Sequence, residues 1–210
     1  MDKAPASLLP PGAHGALLQA QAALLARSRL DEAATAFAVE LAQIFQCLQV
    51  AVAVRQRGAL DIVGVAPHGG VDARHGAAAV LSAALHEAVD QWQPVAWPPV
   101  GSHDTVVQAQ RQLAGQGAAL SVPLVDGGQV VGAMALQRPG TGFSADDVAL
   151  AEDIAAWCGP VLELKRRESL SWPARIRESA AAWLRSPGRR RGAWIAAALA
   201  FAVLVAVPAH

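Results

Sequence analysis

The stretch Leu120-Ser-Val-Pro-Leu-Val-Asp-Gly-Gly-Gln-Val-Val-Gly-Ala-Met-Ala-Leu136 reads as two strands joined by a tight turn. Asp126-Gly127-Gly128 lies between two apolar runs, 118–125 and 129–136. Asp-Gly in that setting is a strong hairpin signal, because the turn needs residues that tolerate positive φ. Pro123 has no N–H for a ladder, so it is expected at an edge or at a non-pairing position.

Working outward, period-2 patterning recurs upstream. Val50-Ala-Val-Ala-Val54 alternates β-branched with small residues, and Leu60-Asp-Ile-Val-Gly-Val65 follows after the turn at Gln56-Arg-Gly58. These two runs predict a second hairpin. Pro94-Val-Ala-Trp97 is a further short extended piece. The intervening and flanking segments change to helical spacing. A helix over about 14–27 carries Leu17, Leu18, Leu24 and Leu25. One over about 31–46 carries Phe37, Leu41, Ile44 and Phe45, with Ser28 and Asp31 placed to cap it. Residues 76–92 and 104–114 are expected to be helical, the latter capped by Asp104 or Ser102. Ser144-Ala-Asp146-Asp147 caps a long closing helix whose apolar stripe runs Val148, Leu150, Ala151, Ile154, Trp157, Val161, Leu164. Acidic residues at its start and Lys165-Arg166-Arg167 at its end suit the helix dipole. The order α-α-β-β-α-β-α-β-β-α, with a mainly antiparallel sheet between terminal helices, predicts an α+β fold.

The order of elements and three stretches resemble a GAF domain. They are the helix of 33–46 running into the strand ending at Val54, the hairpin 120–136, and the closing helix opened by Phe143-Ser-Ala-Asp-Asp-Val-Ala-Leu-Ala-Glu-Asp-Ile-Ala. The resemblance covers about residues 28–166. It implies a central antiparallel sheet flanked by helices and a pocket between sheet and helices. It also implies dimerisation through the terminal helices, on the faces of 14–27 and 148–164. Relatives in this family bind cyclic nucleotides, haem or bilins. The Asn-Lys-x-x-Phe-Asp-Glu-like signature of cyclic-nucleotide binders is absent here, so the resemblance names no cofactor. Cys47 and Cys158 read as small core residues rather than as bilin attachment points or a disulfide.

The chain is formally neutral, with 17 basic and 17 acidic residues, but the charges are segregated. Residues 1–164 hold eight Lys/Arg against fifteen Asp/Glu, a net −7, and residues 165–191 hold nine against two, a net +7. After Arg189-Arg190-Arg191 comes Gly192-Ala-Trp-Ile-Ala-Ala-Ala-Leu-Ala-Phe-Ala-Val-Leu-Val-Ala-Val-Pro208, free of charged side chains. About 17 apolar residues at roughly 1.5 Å each just cross a bilayer core. The arginines mark the cytoplasmic flank. The sequence therefore predicts a flexible tail over 1–13, a globular domain over 14–167, a basic amphipathic segment over 168–191, and a transmembrane helix over 192–208. Trp183, Arg189, Arg190, Arg191 and Trp194 are assigned to the membrane interface, with anionic lipid rather than nucleic acid as the partner of the basic segment. The expected location is the inner (plasma) membrane of a bacterium, single-pass, with the domain cytoplasmic. Met1-Asp-Lys-Ala-Pro does not read as a signal peptide.

This arrangement resembles the N-terminal part of GAF-containing HlyD-like periplasmic adaptors of efflux and secretion systems, which makes a transporter component a candidate partner. The sequence given stops at Pro208-Ala-His210, where the adaptor region of such proteins would begin, so adaptor activity is not expected of these residues. Catalytic motifs are lacking. There is no Gly-x-Ser-x-Gly, phosphate loop or His-Glu-x-x-His, and no metal-ligand spacing, so neither catalysis nor a metal is expected. The candidate ligand lining is His68, Arg74, His75, Trp92, Trp97 and Met134. The loop His68-Gly-Gly-Val-Asp-Ala-Arg-His75 can equally be a solvated loop, and the tryptophans core or rim aromatics.

Overall fold

The computed structural model describes residues 13–67, 75–101 and 106–170. Ten elements follow one another as α1 (Ala13–Leu25), α2 (Leu30–Ile44), β1 (Gln49–Gln56), β2 (Ala59–Ala66), α3 (His75–Gln91), β3 (Val95–Trp97), α4 (Gln108–Ala114), β4 (Ala118–Asp126), β5 (Gln129–Arg138) and α5 (Ala145–Ser169). The strands form one antiparallel sheet in the order β2-β1-β5-β4-β3. This is the α+β architecture that the period changes predict.

The β4–β5 turn has the expected chemistry. Asp126 pairs with Gln129, and Gly127 and Gly128 take φ +55° and +74°. Two successive positive φ values suit the strand twist and favour glycine. Pro123 is tolerated because β3 is only three residues long. That strand reaches β4 at Ala119, Leu120 and Ser121, and leaves the outer side of Pro123 without a ladder partner.

The sheet separates two apolar layers. Val50, Val52, Val54, Leu120, Val122, Leu124, Met134 and Leu136 join Leu24, Phe37, Leu41, Ile154, Cys158 and Leu162 beneath α1, α2 and α5. Alternate strand positions, Ala51, Ala53, Ala119, Ala133 and Ala135, face Leu81, Leu85, Val89 and Leu113 of α3 and α4. Two glycines mark close approaches on the first side. A Cβ on Gly64 would overlap the Ala34 backbone of α2, and one on Gly159 would lie 2.8 Å from the Val125 carbonyl oxygen. Pro160 continues α5 despite lacking an N–H. It and Ala156, whose carbonyl loses that donor, are both exposed, so water can serve the carbonyl.

Helix starts differ in how local their causes are. At α5 the Asp147 N–H donates to Ser144 Oγ at 3.1 Å and the Ser144 N–H donates to Asp147 Oδ2 at 2.9 Å, a reciprocal capping box. The Arg138 guanidinium also reaches Asp147, at 3.0 Å, and lies 4.2 Å from the Phe143 ring centroid. The expected cap of α2 is different in the structure. Arg29 occupies that position without a side-chain cap bond, and its guanidinium instead pairs with Asp31 and Glu32. The helix expected from 104 begins only at Gln108, and Ser102 and Asp104 lie outside the described residues.

The compact unit that carries the sheet ends at Glu168. Among the described residues no helix is long and apolar enough to cross a membrane. The span expected at 192–208 lies outside them, as do Trp183, Arg189, Arg190, Arg191 and Trp194.

Candidate functional site

The two faces of the sheet differ in the size of what they present. Toward α1, α2 and α5 the central strands present valine, leucine and methionine; toward α3 and α4 they present mainly alanines, with Val130 on β5 and Leu60, Ile62 and Val65 on the edge strand β2. Ser121 lies between Leu120 and Val122, both on the first side, so strand alternation turns it to the α3–α4 side. Small residues let α3 lie close over the strands, with Ala84, Leu85 and Ala88 fully enclosed.

α4 is a seven-residue helix, too short to be stable by itself. Side chains of α3 organise it. Both Glu87 carboxylate oxygens accept at its first turn, from the Ala109 N–H at 3.0 Å and the Gln110 N–H at 2.9 Å. The Gln91 side chain closes a two-way bond with Val106, donating to its carbonyl at 2.8 Å and accepting from its N–H at 2.9 Å. Gln110 Nε2 donates to the Ala84 carbonyl at 2.9 Å, which fixes which end of the amide points where. From the sheet, Gln137 Nε2 donates to the Leu113 carbonyl at 2.7 Å.

Among the described residues, two buried side-chain polar atoms in this layer have no hydrogen-bond partner. Gln110 Oε1 and Ser121 Oγ are both buried and unbonded, on residues with 0% exposure. An unsatisfied buried polar group costs about 1–3 kcal/mol. Ser121 sits in register with Ala135 on one side and Val95 on the other, neither of which offers a side-chain donor or acceptor. Among the described residues the layer therefore holds one amide acceptor and one hydroxyl without partners, beside the committed side chains of Glu87, Gln91 and Gln137.

The sequence-predicted lining is brought together only in small part. Trp97 is on this face, half-buried, with the Arg111 guanidinium carbon 5.3 Å from its ring centroid. Trp92 follows the last residue of α3 in a left-handed conformation, φ +56°, and is 57% exposed, so it points to solvent. Met134 must be removed from the lining. It is wholly buried on the opposite face, paired in register with Val52 and Val122. The cause is a β-bulge. A hairpin closed at Asp126–Gln129 and paired without interruption would set Met134 opposite Ser121. The register instead shifts between Leu124 and Val125, leaving Val131 unpaired, and Met134 changes face. His75 opens α3, but nothing of its side chain is described, and His68 and Arg74 lie outside the described residues.

Sequence reading missed Gln110, Ser121, Glu87 and Gln91. Ser121 was signalled by a hydroxyl within an otherwise apolar strand. Gln110 was hidden in the polar run Gln108-Ala-Gln110-Arg-Gln112, which reads as a solvated helix.

Burial pushes both thiols up to about 12, Cys158 in the core beneath α5 and the half-buried Cys47. Neither forms an appreciable thiolate at neutral pH. Among the described residues no group of three or more His, Cys, Asp and Glu is arranged to hold a metal ion.

The terminal helices present unpartnered apolar side chains. Leu18 and Leu25 of α1 are each 64% exposed, Trp157 and Leu164 of α5 59% and 58%. Nearby in α5, buried Glu163 accepts from Arg166 Nε and Arg167 Nε, each at 2.7 Å. Burial alone would raise the Glu163 carboxyl; the two guanidinium hydrogen bonds outweigh it and hold it below its ordinary value.

A family model described as "GAF domain" matches residues 27–163. Comparison with curated protein sequences finds no match. Among solved structures, the GAF domain of a phosphoenolpyruvate-protein phosphotransferase from Coxiella burnetii aligns with a TM-score of 0.53 at 14% identity, over 75% of this chain and 96% of that one. A free methionine-R-sulfoxide reductase from Neisseria meningitidis, in complex with its substrate, gives 0.52 at 15%, over 80% and 99%. The chromophore-binding domain of an unusual bacteriophytochrome from R. palustris gives 0.53 at 12%, over 79% and 65%. At such identities the likeness is one of fold.

Proposed function

Because this chain belongs to the GAF domain family, we propose that it is a non-catalytic regulatory module, tethered to the inner face of a bacterial plasma membrane, whose α3–α4 face senses a small ligand. The observation that carries the sensing role is the pair of enclosed, unpaired polar atoms, Gln110 Oε1 and Ser121 Oγ. A domain used only as a packing surface gains nothing from them; a ligand that completes both hydrogen bonds turns a local cost into binding energy. The non-catalytic reading is supported by the two thiols, which burial keeps protonated and unreactive.

The tether rests on sequence: the segment 192–208 without charged side chains and the +7 stretch before it. The exposed stripes of α1 and α5 support a homodimer formed through those helices, with α5 the element from which the sequence runs into the basic segment. The second reading, an N-terminal part of an efflux or secretion adaptor acting on a transporter, shares this order of segments and is favoured if the gene adjoins one for a transporter.

The sensing role is tested on the full chain in detergent. Protein purified natively is compared with protein unfolded in guanidinium, dialysed and refolded. The native sample is expected to melt higher, and its small-molecule extract to restore the refolded sample. A ligand at a hundred times its Kd adds about 2.7 kcal/mol to stability. Identical melting before and after would remove the sensing role. For topology, a reporter enzyme active only in the periplasm is expected to work when fused after His210; activity from a fusion at Met1 instead would reverse the orientation.

A further inference from the structure

We infer that the ligand of the α3–α4 face is small and uncharged, with an apolar body and an amide-like edge that donates to Gln110 Oε1 and accepts from the Ser121 hydroxyl. This rests on the sensing role proposed above and adds the chemical class.

The class follows from what the layer offers. The central strands contribute Ala51, Ala53, Ala119, Ala133 and Ala135, with Ser121 among them, and Val130, Ile62 and Trp97 add larger apolar side chains to the same face. Among the described residues, charged groups on the two helices are committed or face outward. Both Glu87 oxygens are taken by N–H groups of α4, and Arg111 lies exposed over Trp97. His86 and Asp90 are exposed on the outer side of α3. A phosphate or carboxylate entering here would lose its hydration, find no buried cation among the described residues of this layer, since Arg111 stays exposed at Trp97, and meet the Gln110 carbonyl oxygen, which repels it. A cation would exchange water for two neutral dipoles. The amide of Gln110 cannot turn round to suit an anion, since its nitrogen is held on the Ala84 carbonyl.

A neutral amide, lactam or urea edge is complementary in kind to both unpaired atoms. Its N–H completes Gln110 Oε1 and its C=O receives the Ser121 proton. The leucines of α3 and α4 surround the rest of the molecule.

Entry requires movement, because both atoms are sealed from solvent. Side-chain bonds from Glu87, Gln91 and Gln110 tie α4 to α3, so the two helices move as a pair, while the Gln137 bond to Leu113 links α4 to the sheet. The ligand binds the separated arrangement better than the closed one and shifts the balance toward it.

The test titrates isotope-labelled full chain with benzamide, acetophenone and benzoate, three molecules of one shape. Benzamide donates and accepts, acetophenone only accepts, and benzoate is an anion. Benzamide is expected to shift the amide signals of Ala84, Gln110 and Ser121 saturably, about tenfold more tightly than acetophenone, with benzoate weaker still. In Gln110→Leu the preference of benzamide over acetophenone is expected to vanish while both still bind. Benzoate binding at these residues as tightly as benzamide would overturn the assigned class and leave the sensing role standing. Equal binding of acetophenone and benzamide to the native chain would do the same. Absence of response to all three at millimolar concentration also overturns the class, and the sensing role is then decided by the refolding comparison, which assumes no ligand chemistry.

Discussion

Replacing Gln110 by leucine tests the energetic premise beneath the functional reading. The substitution removes Oε1, an enclosed acceptor with no partner, together with the Nε2 bond to the Ala84 carbonyl. Relief of the unsatisfied acceptor is worth about 1–3 kcal/mol, and loss of the single neutral hydrogen bond costs about 1 kcal/mol. The Ala84 carbonyl lies within α3, so it keeps the helical bond to the N–H four residues on. Leucine has a similar volume and brings no polar atom. The net expectation is stabilisation of about 1 kcal/mol, a rise of roughly 2–4 °C in Tm for a domain of this size. The assay is urea unfolding of ligand-stripped native chain and variant, followed by far-UV circular dichroism. The midpoint should rise with the slope unchanged. Destabilisation by 1 kcal/mol or more would refute the reasoning, because it would mean that Oε1 is satisfied in the folded protein.

Three further outcomes follow from other parts of the molecule. Met134→Ala opens a cavity beneath α2 and α5 and should cost about 2–5 kcal/mol by thermal unfolding, without altering the preference among the three aromatic probes; altered preference would return Met134 to the ligand face. Glu163→Gln should cost about 2 kcal/mol at neutral pH, because it weakens charge-assisted bonds from Arg166 and Arg167. The folded pKa of Glu163 is lowered, so its contribution is complete above the unfolded value of about 4.3 and is lost as pH falls through the lower folded value. The difference between native chain and variant should therefore shrink on acidification, and a difference that grows toward low pH would contradict the assignment. Trp157→Glu combined with Leu164→Glu should convert a dimer to monomer in sedimentation velocity; an unchanged sedimentation coefficient would place the dimer contact elsewhere.

The elements that could be read in the sequence are those fixed by neighbours in the chain. Asp126-Gly-Gly128 set the turn, Val50-Ala-Val-Ala-Val54 set a strand with one large and one small face, and Ser144 with Asp147 set the start of α5. Each signal depends on contacts a few residues apart. What was missed depends on distant partners. The start of α4 is capped by Glu87, more than twenty residues upstream, so no local cap marked it. The face of Met134 depends on one bulged residue, Val131, which the apolar run 129–136 does not reveal. The unpaired state of Gln110 Oε1 and Ser121 Oγ emerges only when α3, α4 and β4 are placed together. Trp92 looked like lining because the helical pattern of 76–92 includes it; the helix ends one residue earlier, and the positive φ turns the indole outward.

If Gln110 and Ser121 belong to a ligand site, a bound molecule should accompany the native chain through purification. Native mass spectrometry of the full chain and of Gln110→Leu, purified side by side from the same host and released from micelles, tests it most directly. The expected result is a small-molecule adduct on the native chain that is absent or strongly reduced on the variant. Bare masses for both, or the same adduct on both, would contradict it.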